Sequence, residues 1–391
     1  MILLFLSDIS WYGLHQRPQH IALALARQWT ILWIQPATLG SKSVFTPVSV
    51  EPNIHVVSVP AIPYNAKAGV IRAIAKMFSR VPLFRKFITL LQVRIVHKAL
   101  SAVGRDKEPV GVVIHNFQLI NLLDKFQPAF VLLDYLDNAF GFTSLPSHVE
   151  EYWKKAIQQS DVITVTSPTL KKQVERHRTG NIHLVGNGVE YNLFSKRPSA
   201  ERPDDMPGGK PIIGYIGAVY PWLDYELIGY AADAMPGAEF VFIGPVHPDV
   251  ASAIGQLRRK QNVRFLGLRE YQKIPSYLHW FDIGIIPFKR NELTVAVNPV
   301  KLYEYSAAGK PTVVTGFSDD LEQFNETICI ARSKEDFISC LNKALEKSKD
   351  QVFMSQLQSF ARQHDWDLKT SAIIQLIQKQ LASGIATTKD S

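Results

Sequence analysis

The feature that most constrains this chain is a recurring short run of unbroken apolar residues. MILLFLS, TILWIQ, IHVVSV, GVVIHN, AFVLLDYL and DVITVTS stand in the first half, and PIIGYIGAV, EFVFIGP, NVRFLGL, FDIGIIPF and PTVVTG in the second. Segments of helical period separate most of them. A strand with one face in water alternates apolar and polar residues, whereas a strand covered on both faces does not. These runs therefore predict parallel sheets clothed by helices on both sides. Two such series predict two Rossmann-like domains of the α/β class.

The length agrees, because 391 residues exceed what one core ordinarily holds. The join is expected at KRPSAERPDDMPGGKP (196–211), which has four prolines and no period. Residues 1–195 then form the N-terminal domain, 196–211 a linker and 212–355 the C-terminal domain. One helix is expected from about Gln351 to Leu381, with 356–382 packing back on the first domain. Residues 383–391 read as a disordered tail.

Composition narrows the class further. An apolar content of 46% and a charged content of 20% are ordinary for a globular protein. MILLFLSD lacks a basic n-region and reads as a buried strand, and no run of 18 apolar residues is present. Cys329 and Cys340 are too few for a disulfide framework or a cysteine zinc site. They read as reduced thiols of a cytoplasmic chain.

The net charge of +8 is unevenly placed. Between Tyr64 and Lys107 ten lysines and arginines are opposed only by Asp106, so the excess belongs to one surface. Val70, Ile71, Ile74, Met77 and Phe78 share one helical face, and Arg72, Lys76 and Arg80 another. Phe84 and Phe87 follow as exposed-looking aromatics. Residues 67–107 are readable as a solvated cationic face, as a patch for an anionic membrane surface, or as a nucleic-acid site. No nucleic-acid-binding motif supports the third.

In the second domain NPVKLYEYSAAGKPTVVT (298–315) follows a strand. Asn298 is expected as the N-cap, Pro299 at the first helical position and Gly309 at the C-terminal end. A helix amino end at the carboxyl edge of a parallel sheet suits phosphate, through backbone amides such as that of Val300. Lys301 can add charge there. Glu304, on the same face, can accept ribose hydroxyls or form a solvated pair with Lys301. Gly214 and Gly217 allow close backbone approach at a second strand-to-helix turn, where Asp224 can cap the helix. Gly244 ends another strand. The spacing is not GxGxxG, so a dinucleotide cofactor is not supported.

These segments run in a familiar order: SDVITVTSPTLKKQVERH, IHLVGNGVEYNLF, GYIGAV, NVRFLGL, PSYLHWFDIGIIPF, NPVKLYEYSAAGKPTVVT and ARQHDWDLKTSAIIQLI. The chain resembles nucleotide-sugar glycosyltransferases of the GT-B fold, in the group of bacterial polysaccharide and lipid-linked-sugar transferases. The resemblance implies two Rossmann-like domains facing across a cleft, with the donor nucleotide on the second. Glu304 would bind ribose, and the amides after Asn298 the diphosphate. It implies no cofactor beyond the nucleoside-diphosphate sugar and no metal. A hydroxyl acceptor is expected, lipid-linked if the basic segment meets a membrane, with peripheral placement on the inner face of the plasma membrane and no nucleic-acid partner. Two features depart from the pattern. Many relatives carry two glutamates eight positions apart; here the first position is Ala296, with Glu292 off register. The loop after GYIG lacks Arg and Lys, leaving Lys289, Arg290 and Lys301, of which Lys301 has the fixed position.

In the first domain His115 ends a buried strand, and the resemblance places such a histidine toward the donor sugar. Asp134 and Asp137 end the next strand. Asp137 is the first candidate for deprotonating an acceptor hydroxyl and His115 the second; an Asp-Asn turn is the structural alternative. The carboxylate pair lacks a third metal ligand. SWYGLHQRPQH (10–20) leaves the first strand. Trp11 and Tyr12 can stack on a sugar, beside Gly13, while Arg17, Gln19 and His20 can meet phosphate or hydroxyls. The alternative is a self-packed loop with Asp8 paired to Arg17. The resulting expectation is transfer of a sugar to a hydroxyl acceptor. A same-fold nucleotide-sugar epimerase and a silent nucleotide-binding protein remain open.

Overall fold

The apolar runs become strands and pair into two sheets. This computed structural model describes residues 1–37, 43–62, 69–141, 147–197 and 201–387. Contacts divide the chain into unit 1, Met1–Gly186 with Thr370–Ser391, and unit 2, Asn187–Lys369. The expected linker, 196–211, thus belongs to unit 2, and its residues 198–200 lie outside the described residues. So do Lys67 of the basic segment and 388–391 of the expected tail.

Unit 1 holds β1 (Ile2–Leu6), β2 (Thr30–Ala37), β3 (Val48–Glu51), β4 (Ile54–Pro60), β5 (Val110–Ile114), β6 (Phe130–Tyr135), β7 (Val162–Val165) and β8 (Ile182–Leu184). Their order is β3-β4-β2-β1-β5-β6-β7-β8. Every pairing is parallel except β3 with β4. The short β3, largely exposed, and β8, mostly half-buried, lack the unbroken apolar run and were not expected. The helices are α1 (Arg17–Leu25), α2 (Gly69–Ser79), α3 (Pro82–Ala102), α4 (Leu123–Phe126), α5 (Ser147–Gln159) and α6 (Pro168–Glu175).

Unit 2 holds α7 (Tyr191–Ser195), β9 (Ile212–Ile216), α8 (Tyr225–Ala234), β10 (Glu239–Ile243), α9 (Ala251–Leu257), β11 (Val263–Gly267), α10 (Ile274–Leu278) and β12 (Ile283–Ile286). Then come α11 (Val300–Ala307), β13 (Thr312–Thr315), β14 (Ile328–Ala331), α12 (Lys334–Lys347) and α13 (Gln351–Arg362). The sheet is wholly parallel, ordered β11-β10-β9-β12-β13-β14. Glycines on its central strands admit large rings. A Cβ on Gly214 would lie 1.9 Å from the Phe281 ring, and one on Gly284 would lie 2.2 Å from the Tyr305 ring.

Three expectations are corrected. The single helix over 351–381 is broken: α13 stops at Arg362 and α14 (Trp366–Thr387) begins after a turn. That turn puts the Val189 N–H on the His364 carbonyl and the Trp366 N–H on the Val189 carbonyl, each at 3.0 Å. From Thr370 onward α14 belongs to unit 1, where Ile373 and Ile377 join the core. It runs past the expected end, through Thr387. The cysteines are not free thiols. β14 lies against α12, which brings Cys329 and Cys340 to a Cα separation of 5.8 Å, and they form a disulfide. A strand-to-helix return of 11 residues hides this proximity in the sequence.

Candidate active site

In a parallel α/β sheet ligands gather at the carboxyl ends of strands where the strand order reverses. In unit 1 the reversal lies between β1 and β5, because β2 to β4 run to one side of β1 and β5 to β8 to the other. The opening loop, His115 and Asp137 follow β1, β5 and β6, three adjacent strands.

The most organised group at this edge is an ion pair. Arg17 is buried and donates from Nε to Asp134 Oδ2 at 2.9 Å and from Nη2 to Asp134 Oδ1 at 2.7 Å. Its Nη1 donates to the Gly186 carbonyl at 2.9 Å, and Thr164 Oγ1 donates to Asp134 at 2.5 Å. Burial alone would raise the Asp134 carboxyl, but Arg17 and Thr164 hold it below its ordinary value. Arg17 is therefore committed to Asp134, and the pairing with Asp8 does not occur. Asp134, with its oxygens filled by donors, is no metal ligand in this geometry.

His115 lies beside this pair. Its ring stacks on Phe5 at 4.8 Å, and its Nε2 is 3.5 Å from Asp134 Oδ2. Burial drives the imidazole down to about 4, against the pull of Asp134, so it is neutral at neutral pH. Neither ring nitrogen has a hydrogen-bond partner among the described residues. The side chain is wholly buried in this structure; its neutral imidazole has one donor and one acceptor, but it resists the proton a general base must take.

Asp137 is half-buried beyond the end of β6. Its carboxylate acts on Asp8, a residue the sequence offered only as a partner for Arg17. Asp8 opens to solvent, yet crowding by protein pushes its carboxyl up to about 6, with Asp137 adding to the rise. Two interacting carboxylates thus stand at the ends of β1 and β6.

The opening loop is partly self-packed. The Trp11 N–H donates to Gln35 Oε1 at 2.8 Å, and its ring meets Trp33 edge-on at 5.0 Å. Gln19 is buried, accepts from the Gln16 N–H at 3.1 Å and donates to the Leu14 carbonyl at 3.2 Å. It caps α1. His20 packs edge-on against His15, and burial keeps its ring neutral. Tyr12 is 39% exposed and Gly13 lies in the turn closed onto the Ser10 carbonyl, so these two project to solvent.

In unit 2 the order reverses between β9 and β12. Gly217 ends β9 at φ 142° and Gly244 ends β10 at φ 148°. A Cβ on Gly244 would sit 2.0 Å from the Gly217 carbonyl oxygen, so only glycine permits this approach. Lys301, in the first turn of α11, lays its chain over the same place. Its Nζ is 2.7 Å from where a Cβ on Gly217 would be, and 5.3 Å from the Tyr215 ring centroid. The amino end of α11 and a lysine ammonium thus share one glycine-floored corner.

The helix begins one residue later than expected. Pro299, not Asn298, is the N-cap, and Val300 opens α11. Asn298 is buried and braces the turn instead. Its Oδ1 accepts from the Asn187 N–H at 2.8 Å and from the Tyr303 hydroxyl at 3.1 Å. Gly309 closes the far end as expected, at φ 69°, with the Lys310 N–H on the Tyr305 carbonyl at 2.8 Å. Asp224 caps α8, accepting from the Leu227 N–H at 3.0 Å.

Glu304 is half-buried. Burial raises its carboxyl to about 7, opposed by Lys301 and assisted by Glu190. Glu190 shares a hydrogen bond with Tyr271, and burial raises it too. Glu190 and Tyr271 were missed; the only sequence signal was the place of Glu190 in NGVEYNLF. Of the remaining cations, Arg290 makes a bidentate pair with Asp319 at 2.9 Å, and Lys289 is exposed. Ala296 is buried at 1% exposure, and Glu292 is exposed.

Comparison with known proteins finds chains to which this one is similar. Residues 210–347 match the family model for glycosyl transferases group 1. This stretch of unit 2 is similar to that family. Over 220 residues it is 33% identical to TuaH of Bacillus subtilis (strain 168), whose name assigns it to teichuronic acid biosynthesis as a glycosyltransferase. That match covers 54% of this chain and 55% of the relative, so the chain spans about half the length of the curated relative it matches. A sucrose-phosphate synthase from Thermosynechococcus elongatus superposes with TM-score 0.74 at 14% identity, covering 98% of this chain and 99% of its own. HepE of Anabaena, solved with UDP and glucose, gives TM-score 0.63 at 13% identity, covering 96% and 99%. The two structural likenesses show the fold, GT-B.

Proposed function

We propose that this protein transfers a sugar from a nucleoside-diphosphate sugar to a hydroxyl acceptor in glycan synthesis. The observation that carries the reading is the corner of unit 2 where the Lys301 ammonium meets the Gly217–Gly244 floor at the amino end of α11. Phosphate oxygens suit that combination of helix dipole, close backbone and cation. Glu304, one turn on, suits the ribose hydroxyls. The group 1 match, the UDP held by HepE and the teichuronic acid assignment of TuaH support the donor and product classes.

In the step proposed, the acceptor oxygen bonds to the anomeric carbon while the bond from that carbon to the diphosphate oxygen breaks. The nucleoside diphosphate leaves with the bonding pair, its charge met by α11 and Lys301. Asp137, coupled to Asp8, takes the hydroxyl proton, and neutral His115 bonds a sugar hydroxyl. Since the leaving group has its own cation, the proposal includes turnover without metal, tested by activity in EDTA. Further proposals are a lipid-linked acceptor and a place at the cytoplasmic face of the membrane.

A thermal-shift screen against UDP, GDP, ADP, dTDP and their sugars tests the donor site. At least one should raise the melting temperature, and no response to any overturns the reading. Donor consumption is then followed with and without acceptor alcohols. Consumption without acceptor, giving an isomeric sugar, would indicate an epimerase. Binding without consumption would indicate a silent protein.

A further inference from the structure

We infer that the α2–α3 helical hairpin of unit 1 is a docking surface for an anionic lipid bilayer. It deepens the proposed function, resting on that reading for its purpose, but lipid binding is measured without any sugar transfer.

The first observation is misplaced apolar surface. Ile74 is 48% exposed, Met77 59% and Phe78 44%, and Val81, between the helices, is 46%. On α3, Leu83 is 75% exposed, Phe87 55% and Leu90 53%. Seven large apolar side chains within seventeen residues thus face water, far from the scattered singles of an ordinary surface. Their spacing is helical. Residues 74, 77, 78 and 81 fall on one face of α2 and its end, and 83, 87 and 90 on one face of α3. The anchoring side of the hairpin is elsewhere: Ala75 and Ser79 are buried on α2, and Gln92, Val96, Ala99 and Leu100 on α3. Gln92 ties α3 to the Pro60 carbonyl at 2.7 Å. No buried residue lies in α3 before Gln92, and Leu83, Phe87 and Leu90 are left in water.

The second observation is charge. Residues 69–105 contain eight lysines and arginines and no acidic residue. Lys86 and Arg94 continue the stripe of Leu83, Phe87 and Leu90 at helical spacing, and Arg80 stands beside Met77. Among the described residues none of Arg80, Lys86, Arg94 and Lys98 has an ion-pair partner. An apolar face interleaved with long cationic side chains matches the boundary between acyl chains and anionic headgroups. A neutral apolar partner would leave these charges unmet, and a second copy of this face would set them against one another.

The test is flotation of the full-length protein with vesicles of phosphatidylglycerol and phosphatidylcholine, against phosphatidylcholine alone. Binding is expected to the anionic vesicles, to weaken as salt rises, and to be slight on the neutral ones. Lys86→Glu/Arg94→Glu should weaken it on the order of thirtyfold, from about fivefold per basic residue. Leu83→Glu/Phe87→Glu should abolish it while melting temperature and transfer to a soluble acceptor stay unchanged. Absence of flotation at low salt overturns the proposal, as does equal binding by both variants. A dimer in light scattering that Leu83→Glu/Phe87→Glu dissociates, with no vesicle binding, assigns the face to a second copy and also overturns it. Flotation without any nucleotide binding would break the proposed function and leave this surface standing.

Discussion

The two sheet edges treat charge in opposite ways. At the edge of unit 1 the strongest charges are buried and closed on one another: Arg17 forks onto Asp134, and Thr164 fills a further site. At the edge of unit 2 the charges keep access to solvent, Lys301 and Glu304 being half-buried, while glycines and backbone contacts shape the floor. A closed pair is bound into the fold, because most acceptor sites of its carboxylate are filled by protein donors. A half-open pair on a helix can still exchange partners for a ligand. Residue type alone does not separate the two cases.

The largest effect that would break this contrast is on stability. Arg17→Met leaves Asp134 charged and buried, and should cost about 3–5 kcal/mol in urea denaturation. Arg17→Met/Asp134→Leu should recover much of the loss. A stable Arg17→Met protein with impaired sugar transfer would instead make Arg17 a ligand-facing residue. Next comes the brace of unit 2, which lies away from its edge. Cys329→Ser/Cys340→Ser should cost about 3 kcal/mol through the loop it frees, with nucleotide affinity unchanged. Reducing agent should lower the melting temperature of the natural protein and leave the variant unmoved.

Glu304→Gln sharpens the comparison at the site itself. It should weaken nucleotide binding by about ten- to a hundredfold, as for a lost hydrogen bond to a charged group, measured by calorimetry without a fall in stability. The pH dependence has a definite sign. Burial raises the Glu304 carboxyl from 4.5 to about 7, so the folded protein holds a proton there that the unfolded chain has released. This group's contribution to stability therefore falls as pH rises from 4.5 to about 7. Nucleotide binding strengthens over the upper part of that window, as the ribose-accepting carboxylate forms. Glu304→Gln should remove this contribution from the stability slope and flatten the binding slope; unchanged slopes would transfer the titration to another group. The smallest effect belongs to Lys289→Ala, within about 0.5 kcal/mol for stability and affinity alike, as for an exposed side chain. A tenfold loss of affinity would place Lys289 on the diphosphate beside Lys301.

Much of the scaffold was legible because its cause is local. Unbroken apolar runs such as ILLFL and IIGYI dictate two-faced burial, and Gly309 dictates where α11 ends. The strands that escaped, β3 and β8, are edge pieces whose pairing comes from the neighbour and not from their own pattern. The placement of Lys301 and Glu304 was legible, because position along a helix sets geometry. Placement was not legible where the partner is distant in sequence. Arg17 meets Asp134 across 117 positions, and Asn298 meets Asn187 across 111, which put Arg17 in a buried ion pair and made an expected cap a brace. Glu190 and Asp8 were hidden for the same reason, since their shifted carboxyls arise from crowding that no short window contains.

The edge-on contact of Trp11 with Trp33, at 5.0 Å, has an optical consequence. Two indoles this close share their electronic excitation, and Phe5 stacks on Trp33 from the other direction at 4.8 Å. Trp11 rides on the loop that carries Tyr12 and Gly13, while Trp33 is fixed in β2. Any ligand that shifts the loop changes the coupling between the two indoles, so tryptophan emission and near-ultraviolet circular dichroism report its movement without an attached label.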